Sequence, residues 1–279
     1  MRQVLVDLVI RLFGVVLASL LGAVLIVVGP TNLGGAVDRI KSNLRTVGPT
    51  VVALALVLVI NSVVRDVGVA VSWIIGINVT DVILSIEGGF VGSVQSLASP
   101  PVTAYFSLIY VYGYSFLLTF PLVLYLLHED ARPLHETTVA YIVNYGVGVV
   151  CYVLFVAYGP RNVIPELVDP LLYTNWPQSQ LLVRQVNANT NVLPSLHTSL
   201  SVTVALLAYR FREAYPRWLP IAVWLAASVT ISTIYLGIHW GTDVLAGIAL
   251  AVLSVFVAER VETDAVRDHV VAVYGRVAG

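Results

Sequence analysis

Two short stretches of the chain carry the residue types that catalysis needs. Residues 194–197 read PSLH and residues 239–243 read HWGTD. In the first, Pro194 suits the opening turn of a helix, because the N–H it lacks would have no partner there anyway. Ser195 is placed to cap that turn, and the free N–H groups of a helix start favour an anion, phosphate above all. His197 then stands beside whatever anion binds. In the second stretch His239 and Asp243 are four residues apart, so on a helix they share a face and can hydrogen-bond. A carboxylate on one imidazole nitrogen fixes the tautomer and leaves the other nitrogen a better base or nucleophile.

Each stretch also has a plainer reading. PSLH can be an ordinary capped helix with a histidine reaching for the interface. In HWGTD, Asp243 can simply cap the next helix while His239 satisfies a loop. A two-residue metal site is a third option, without the further His or Cys cluster that would complete it. Taken together, an anion cradle with one histidine and an activated second histidine make a set for phosphoryl transfer. His239 attacks phosphorus to give a phosphohistidine, Asp243 orients it, and His197 protonates the departing oxygen. Water or another alcohol then takes the phosphoryl group. Such a double displacement calls for no metal and no other cofactor.

The elements that must hold these residues are membrane helices. Of the 279 residues, 58% are hydrophobic and 11% charged, with mean hydropathy +0.89; soluble chains carry about 25% charged residues. Uncharged windows mark seven spans at 12–29, 47–64, 103–127, 139–159, 195–209, 219–236 and 244–258. The first window is longer than the 7–15 residues of a secretory signal core and reads as an anchor. Segment 67–99 lacks a clean window; its VGVAVSWIIGIN stretch with Trp73 reads as a helix lying in the interface, with a short re-entrant piece as the competitor. The expected fold is therefore an all-α polytopic bundle. It divides into amino-terminal helices (1–102), a catalytic membrane core (103–258) and a cytoplasmic tail (259–279).

With seven spans, ten basic residues fall on one side and five on the other. The richer side belongs in the cytoplasm. That puts the carboxyl terminus inside, and both motif histidines on outward loops of a cell-membrane protein. The net charge of −1 gives no reason to expect nucleic acid, and the single Cys151 excludes an intrachain disulfide. His128 and His135 fall in an inner loop among acids and read as solvated.

PSLH and the pattern S-x6-H-x3-D, from Ser232 through His239 to Asp243, resemble the second and third signature motifs of the type 2 phosphatidic acid phosphatase (PAP2) superfamily. The resemblance covers roughly 103–258. It implies a helical core in which His239 is the nucleophile, Asp243 its support and His197 the acid, with Ser195 and Ser232 at the phosphate. The chain departs from the phosphatase pattern in two places. Thr233 stands where an arginine follows the third-motif serine, and Tyr125 stands at the first-motif lysine, seven residues before Arg132-Pro133. Arg132 is also expected on the wrong side. Phosphate still needs cationic donors; the outward candidates are Arg161 in YGPRN, the stronger of the two, and Arg184. STIYLGIHWGTDVLAG is closer to the inositol-phosphorylceramide-synthase branch, whose members move a phosphorylated head group from a phospholipid to a lipid alcohol. The resemblance thus implies a phospholipid or lipid-phosphate substrate. Hydrolysis of a lipid phosphate is the alternative. A transporter with a His/Asp proton relay is the non-enzymatic one, and it predicts charges within the spans and broken helices in matching halves.

Overall fold

The structure, a computed structural model, describes residues 2–183 and 192–261. It is all-α apart from a two-residue parallel ladder. The chain opens with α1 (Arg2–Val27), a turn of 3-10 helix (Pro30–Leu33) and α2 (Ala36–Ile75). The strand β1 (Ile77–Asn78) and two short helices, α3 (Thr80–Glu87) and α4 (Phe90–Gln95), follow. Next comes one long rod: α5 (Pro100–Leu108), a π-helical turn (Ile109–Gly113) and α6 (Tyr114–Leu126). α7 (Arg132–Leu154) returns and leads through β2 (Phe155–Val156) to the short helices α8 (Pro160–Val163), α9 (Leu171–Asn175) and α10 (Ser179–Val183). The last three helices are α11 (Leu196–Arg210), α12 (Trp218–Tyr235) and α13 (Gly241–Ala258).

Six helices among the described residues are long and apolar enough to cross a membrane: α1, α2 (through Val64), α5–α6, α7, α12 and α13. The fifth expected span is α11, whose 15 residues reach about 22 Å, short of the ~30 Å hydrocarbon core. α11 runs through the middle of the bundle against α7, α12 and α13. Its Ser199, Ser201 and Thr203 are fully buried, small polar side chains of the kind that let membrane helices approach closely. Asn144 of α7 is the link: its Nδ2 donates to Thr203 Oγ1 (3.0 Å), and its Oδ1 accepts from Ser199 Oγ. A core of Leu117, Phe120, Leu124, Leu200, Val204 and Trp218 packs α6, α11 and α12 together.

Because each crossing reverses the chain, the ends of the helices sort into two faces. One face holds the 27–36 and 126–132 connections and the turn after α11. There Arg39 Nε donates to the Leu127 carbonyl (2.8 Å), and Arg217 Nη1 to that of Ile26 (3.0 Å). The other face collects 76–99, 155–183 and both histidine motifs. The strand pairing of Ile77 with Phe155 and Asn78 with Val156 belongs to it.

Two expectations need correction. The stretch VGVAVSWIIGIN does not lie in the interface as a separate helix: residues 67–75 continue α2 without a break. One glycine costs a helix only about 1 kcal/mol and a charged pair does not end one, so the terminator is Gly76. Its N–H bonds back to Ser72 O (2.8 Å), and a Cβ there would sit 2.4 Å from that oxygen. The chain turns back instead through α3 and α4. His135, expected in a solvated loop, is buried within α7, with Nε2 3.0 Å from the Val261 carbonyl oxygen. Its helix starts at Arg132 because the neighbouring Glu136 is neutralised, by Arg132 (2.7 Å) and Arg210 (2.6 Å).

Candidate active site

The site forms where three helix ends meet. α12 stops at Leu236, and Gly237 takes φ +70°, a left-handed conformation that glycine adopts without steric cost. The chain then folds back on α12, with the N–H groups of Ile238 and His239 both donating to Thr233 O (3.1 and 3.0 Å). Thr233, in place of an arginine, therefore anchors the histidine loop through its carbonyl. The Trp240 indole donates to Tyr158 O (2.8 Å) and locks the loop from the other side.

α13 begins just after His239, with Trp240 as its N-cap. His239 and Asp243 thus do not share a helical face, as their spacing implied; they meet because Asp243 turns back over the helix start. Its Oδ2 accepts from Trp240 N (2.9 Å) and lies 3.3 Å from His239 Nδ1. The capping bond explains the choice of an acidic residue at this third helical position, and it also aims the carboxylate at the imidazole. With Nδ1–H donated to the carboxylate, the lone pair sits on Nε2. Both side chains are buried.

α11 starts beside it. Pro194 lies ahead of the helix rather than in its first turn, and Ser195 is the N-cap, its Oγ accepting from Thr198 N (3.3 Å). Ser195 N donates to Asp243 O (3.0 Å), which ties the two motifs together. Gly247 allows this approach, since a Cβ there would fall 2.6 Å from Ser195 O. His197, in the first turn of α11, stacks on Tyr110 (ring centroids 4.4 Å apart) and Tyr114 (4.1 Å).

Arg161 joins from the α7–α8 connection, where its N–H donates to Gly237 O (3.3 Å). Its Nη2 donates to Tyr173 OH (3.1 Å), while Nη1 is buried with no partner among the described residues. Arg184 lies outside the described residues. Ser232 is fully buried in the last turn of α12, and its one proton goes to Val229 O (2.6 Å). Ser195 keeps its hydroxyl proton free, because there the oxygen is the acceptor. Arg132, bonded to Glu136, stands at the far end of α7, roughly 33 Å from the site along the helix.

The structure adds residues that the motifs did not point to. Tyr110 and Tyr114 are one turn apart in a tyrosine-rich stretch, and that spacing was their only signal. Glu87 of α3 accepts from Gly241 N (2.8 Å) and Thr242 N (2.5 Å) at the start of α13. Gln95 of α4 donates to Tyr235 O (2.9 Å). Nothing local marks either residue, because their partners lie about 150 positions away.

A buried imidazole oriented by a carboxylate, a second imidazole at a helix start and a guanidinium with one donor to spare among the described residues are the parts of a phosphoryl-transfer site. The family model of the PAP2 superfamily matches residues 84–257. The chain belongs to the PAP2 superfamily. Members of that superfamily are phosphatases or phosphotransferases. The match takes in the second half of α3, all of α4 and the helices from α5 into α13, and leaves α1 and α2 outside. No curated protein and no solved structure matches the chain at the level taken as significant.

Proposed function

We propose that this PAP2 enzyme transfers a phosphorylated head group from a phospholipid to a lipid alcohol, through a phosphohistidine on His239. The observation that carries the reading is the buried His239–Asp243 pair, held by a backbone bond against the capped start of the helix that bears His197. In the first step His239 Nε2 attacks phosphorus and the bond to the diacylglycerol oxygen breaks. Asp243 holds the Nδ1 proton and offsets the positive charge that develops on the ring. His197 gives its proton to the departing oxygen. In the second step the hydroxyl of the acceptor attacks phosphorus, His197 takes back a proton, and the N–P bond breaks to free His239.

Arg161 Nη1 and the free hydroxyl proton of Ser195 serve the non-bridging oxygens. Ser232 completes the set by turning its hydroxyl away from Val229. Transfer is favoured over hydrolysis by the branch resemblance and by Thr233, whose position holds an arginine in the phosphatases. The arginine-rich side of the chain faces the cytoplasm, so the site opens at the outer leaflet of the cell membrane.

The test uses purified protein in lipid with a phospholipid labelled at its head-group phosphorus, with and without an added lipid alcohol. Label passing to the alcohol, and lost in His239→Ala, is the expected result. Label released to water as the phosphorylated head group would make the protein a phospholipid hydrolase and overturn the transfer step, and inorganic phosphate released only from labelled phosphatidic acid would make it a lipid phosphatase.

A further inference from the structure

The tyrosine stacked on His197 has a second end. The Tyr110 hydroxyl is buried and has no hydrogen-bond partner among the described residues. Tyr110 belongs to the same apolar cluster as Tyr173, whose hydroxyl accepts from Arg161 Nη2 and whose ring carries the guanidinium 4.5 Å from its centroid. The Tyr110 ring packs with Tyr235, Leu236 and Ile238, the segment that delivers His239. Two buried donors, Arg161 Nη1 and Tyr110 OH, thus both lack partners among the described residues, and Tyr173 links them. Burying an unbonded polar group costs about 1–3 kcal/mol, so two such donors around one residue mark a place built for a ligand rather than for stability. The helix that carries Tyr110 makes a single π-helical turn there, a distortion common at functional sites.

We propose that Tyr110 is a ligand of the substrate phosphate, donating its hydroxyl to a non-bridging oxygen beside Arg161 while its ring seats His197. It fills with a neutral donor part of the role that a first-motif lysine would fill with a charge. The proposal rests on the reading of this pocket as a phosphoryl-transfer site, but not on which lipid or acceptor is used.

The test compares wild-type protein in lipid with Tyr110→Phe, which keeps the ring and removes only the hydroxyl. Affinity for orthovanadate, a mimic of five-coordinate phosphorus, is measured by calorimetry beside head-group turnover. The expected result is a loss of about 10- to 100-fold in vanadate affinity and in kcat/KM, the range for a hydrogen bond to a charged acceptor. The thermal midpoint should be unchanged or higher, because no bond within the protein is lost. A hydroxyl with a structural role would instead lower the midpoint and leave vanadate binding alone, which would overturn the proposal. Should Tyr110→Phe fail to fold, 3-fluorotyrosine placed at position 110 is the second variant. Its more acidic phenol should tighten vanadate binding, and an unchanged affinity would overturn the assignment. Wild-type protein that binds vanadate through Tyr110 yet passes no label to an alcohol would sink the transferase reading and leave Tyr110 standing. If Tyr110→Phe matches wild type in both assays, Tyr110 is no ligand and the transferase reading survives. Wild-type protein that neither binds vanadate nor moves label would overturn both.

Discussion

Replacing Asp243 by Asn tests the mechanism most directly, because it removes a charge while disturbing little else. Oδ2 of Asp243 accepts from the Trp240 N–H at 2.9 Å and from His239 Nδ1 at 3.3 Å. Trp240 N can only donate, so the asparagine must turn its carbonyl oxygen into the same place, and that oxygen still accepts from Nδ1. The cap and the tautomer therefore survive. What is lost is the attraction between the carboxylate and the positive charge that forms on the imidazole as Nε2 bonds to phosphorus. With charge centres about 4 Å apart and an effective dielectric of about 20, that attraction is about 4 kcal/mol. At 1.36 kcal/mol per decade the chemical step slows about 10³-fold. The assay is single-turnover transfer of labelled head-group phosphorus, with the thermal midpoint measured in parallel. Retention of more than a tenth of the wild-type rate would refute the reasoning, and so would a rate loss matched by a collapse in stability.

Three further outcomes are expected. Rapid acid-free denaturation of wild-type protein mixed with labelled donor, without acceptor, should trap label on the chain, and His239→Ala should carry none. Arg161→Ala should weaken vanadate binding and raise the KM for donor by about 10- to 100-fold, the loss of a charge-assisted hydrogen bond, read by calorimetry and by initial rates. Gly247→Ala places a Cβ 2.6 Å from Ser195 O and 3.2 Å from Thr198 Cβ; overpacking of this kind costs about 1–3 kcal/mol and should lower the thermal midpoint.

The contacts among the candidate residues were legible in the sequence because they are local. Ser195 caps the helix that follows it, and Asp243 reaches His239 through a four-residue turn, so each pair declares itself by spacing. The spans were legible as uncharged windows, but their ends were not. A window stops at a charge, whereas α2 runs past position 65 and α7 starts at Arg132, seven residues before its window. A charge ends an apolar window but breaks no backbone hydrogen bond, so the helix runs on; at the start of α7, Glu136 has its cations in Arg132 and in Arg210, 74 positions away. The far end of the α7 window failed for the opposite reason. Phe155 and Val156 are apolar yet extended, because they pair with Ile77 and Asn78 from a strand nearly 80 residues earlier. Contacts of that separation leave no period in the sequence.

The same long reach explains why segment 76–99 belongs with the helices of the candidate site. Glu87 spans the first turn of α13 with both carboxylate oxygens, on Gly241 N and Thr242 N, where a negative charge also suits the positive end of the helix. His239 lies two residues before Gly241, and Asp243 one residue after Thr242, so the bridge holds both sides of the His239–Asp243 pair. Glu87→Ala frees two N–H groups at a half-buried position, where water can take up part of the loss. About 1–2 kcal/mol of stability should go, a fall of roughly 2–8 °C in the thermal midpoint. The effect on rate should be larger than that on binding, because a displacement of about 1 Å at the nucleophile is enough to cost up to 10²-fold. In head-group transfer kcat should drop at least about 10-fold with KM within a factor of three, and Glu87→Gln, which keeps one acceptor, should fall between the two. A Glu87→Ala protein that melts earlier yet turns over at the wild-type kcat would reduce this bridge to a structural tie.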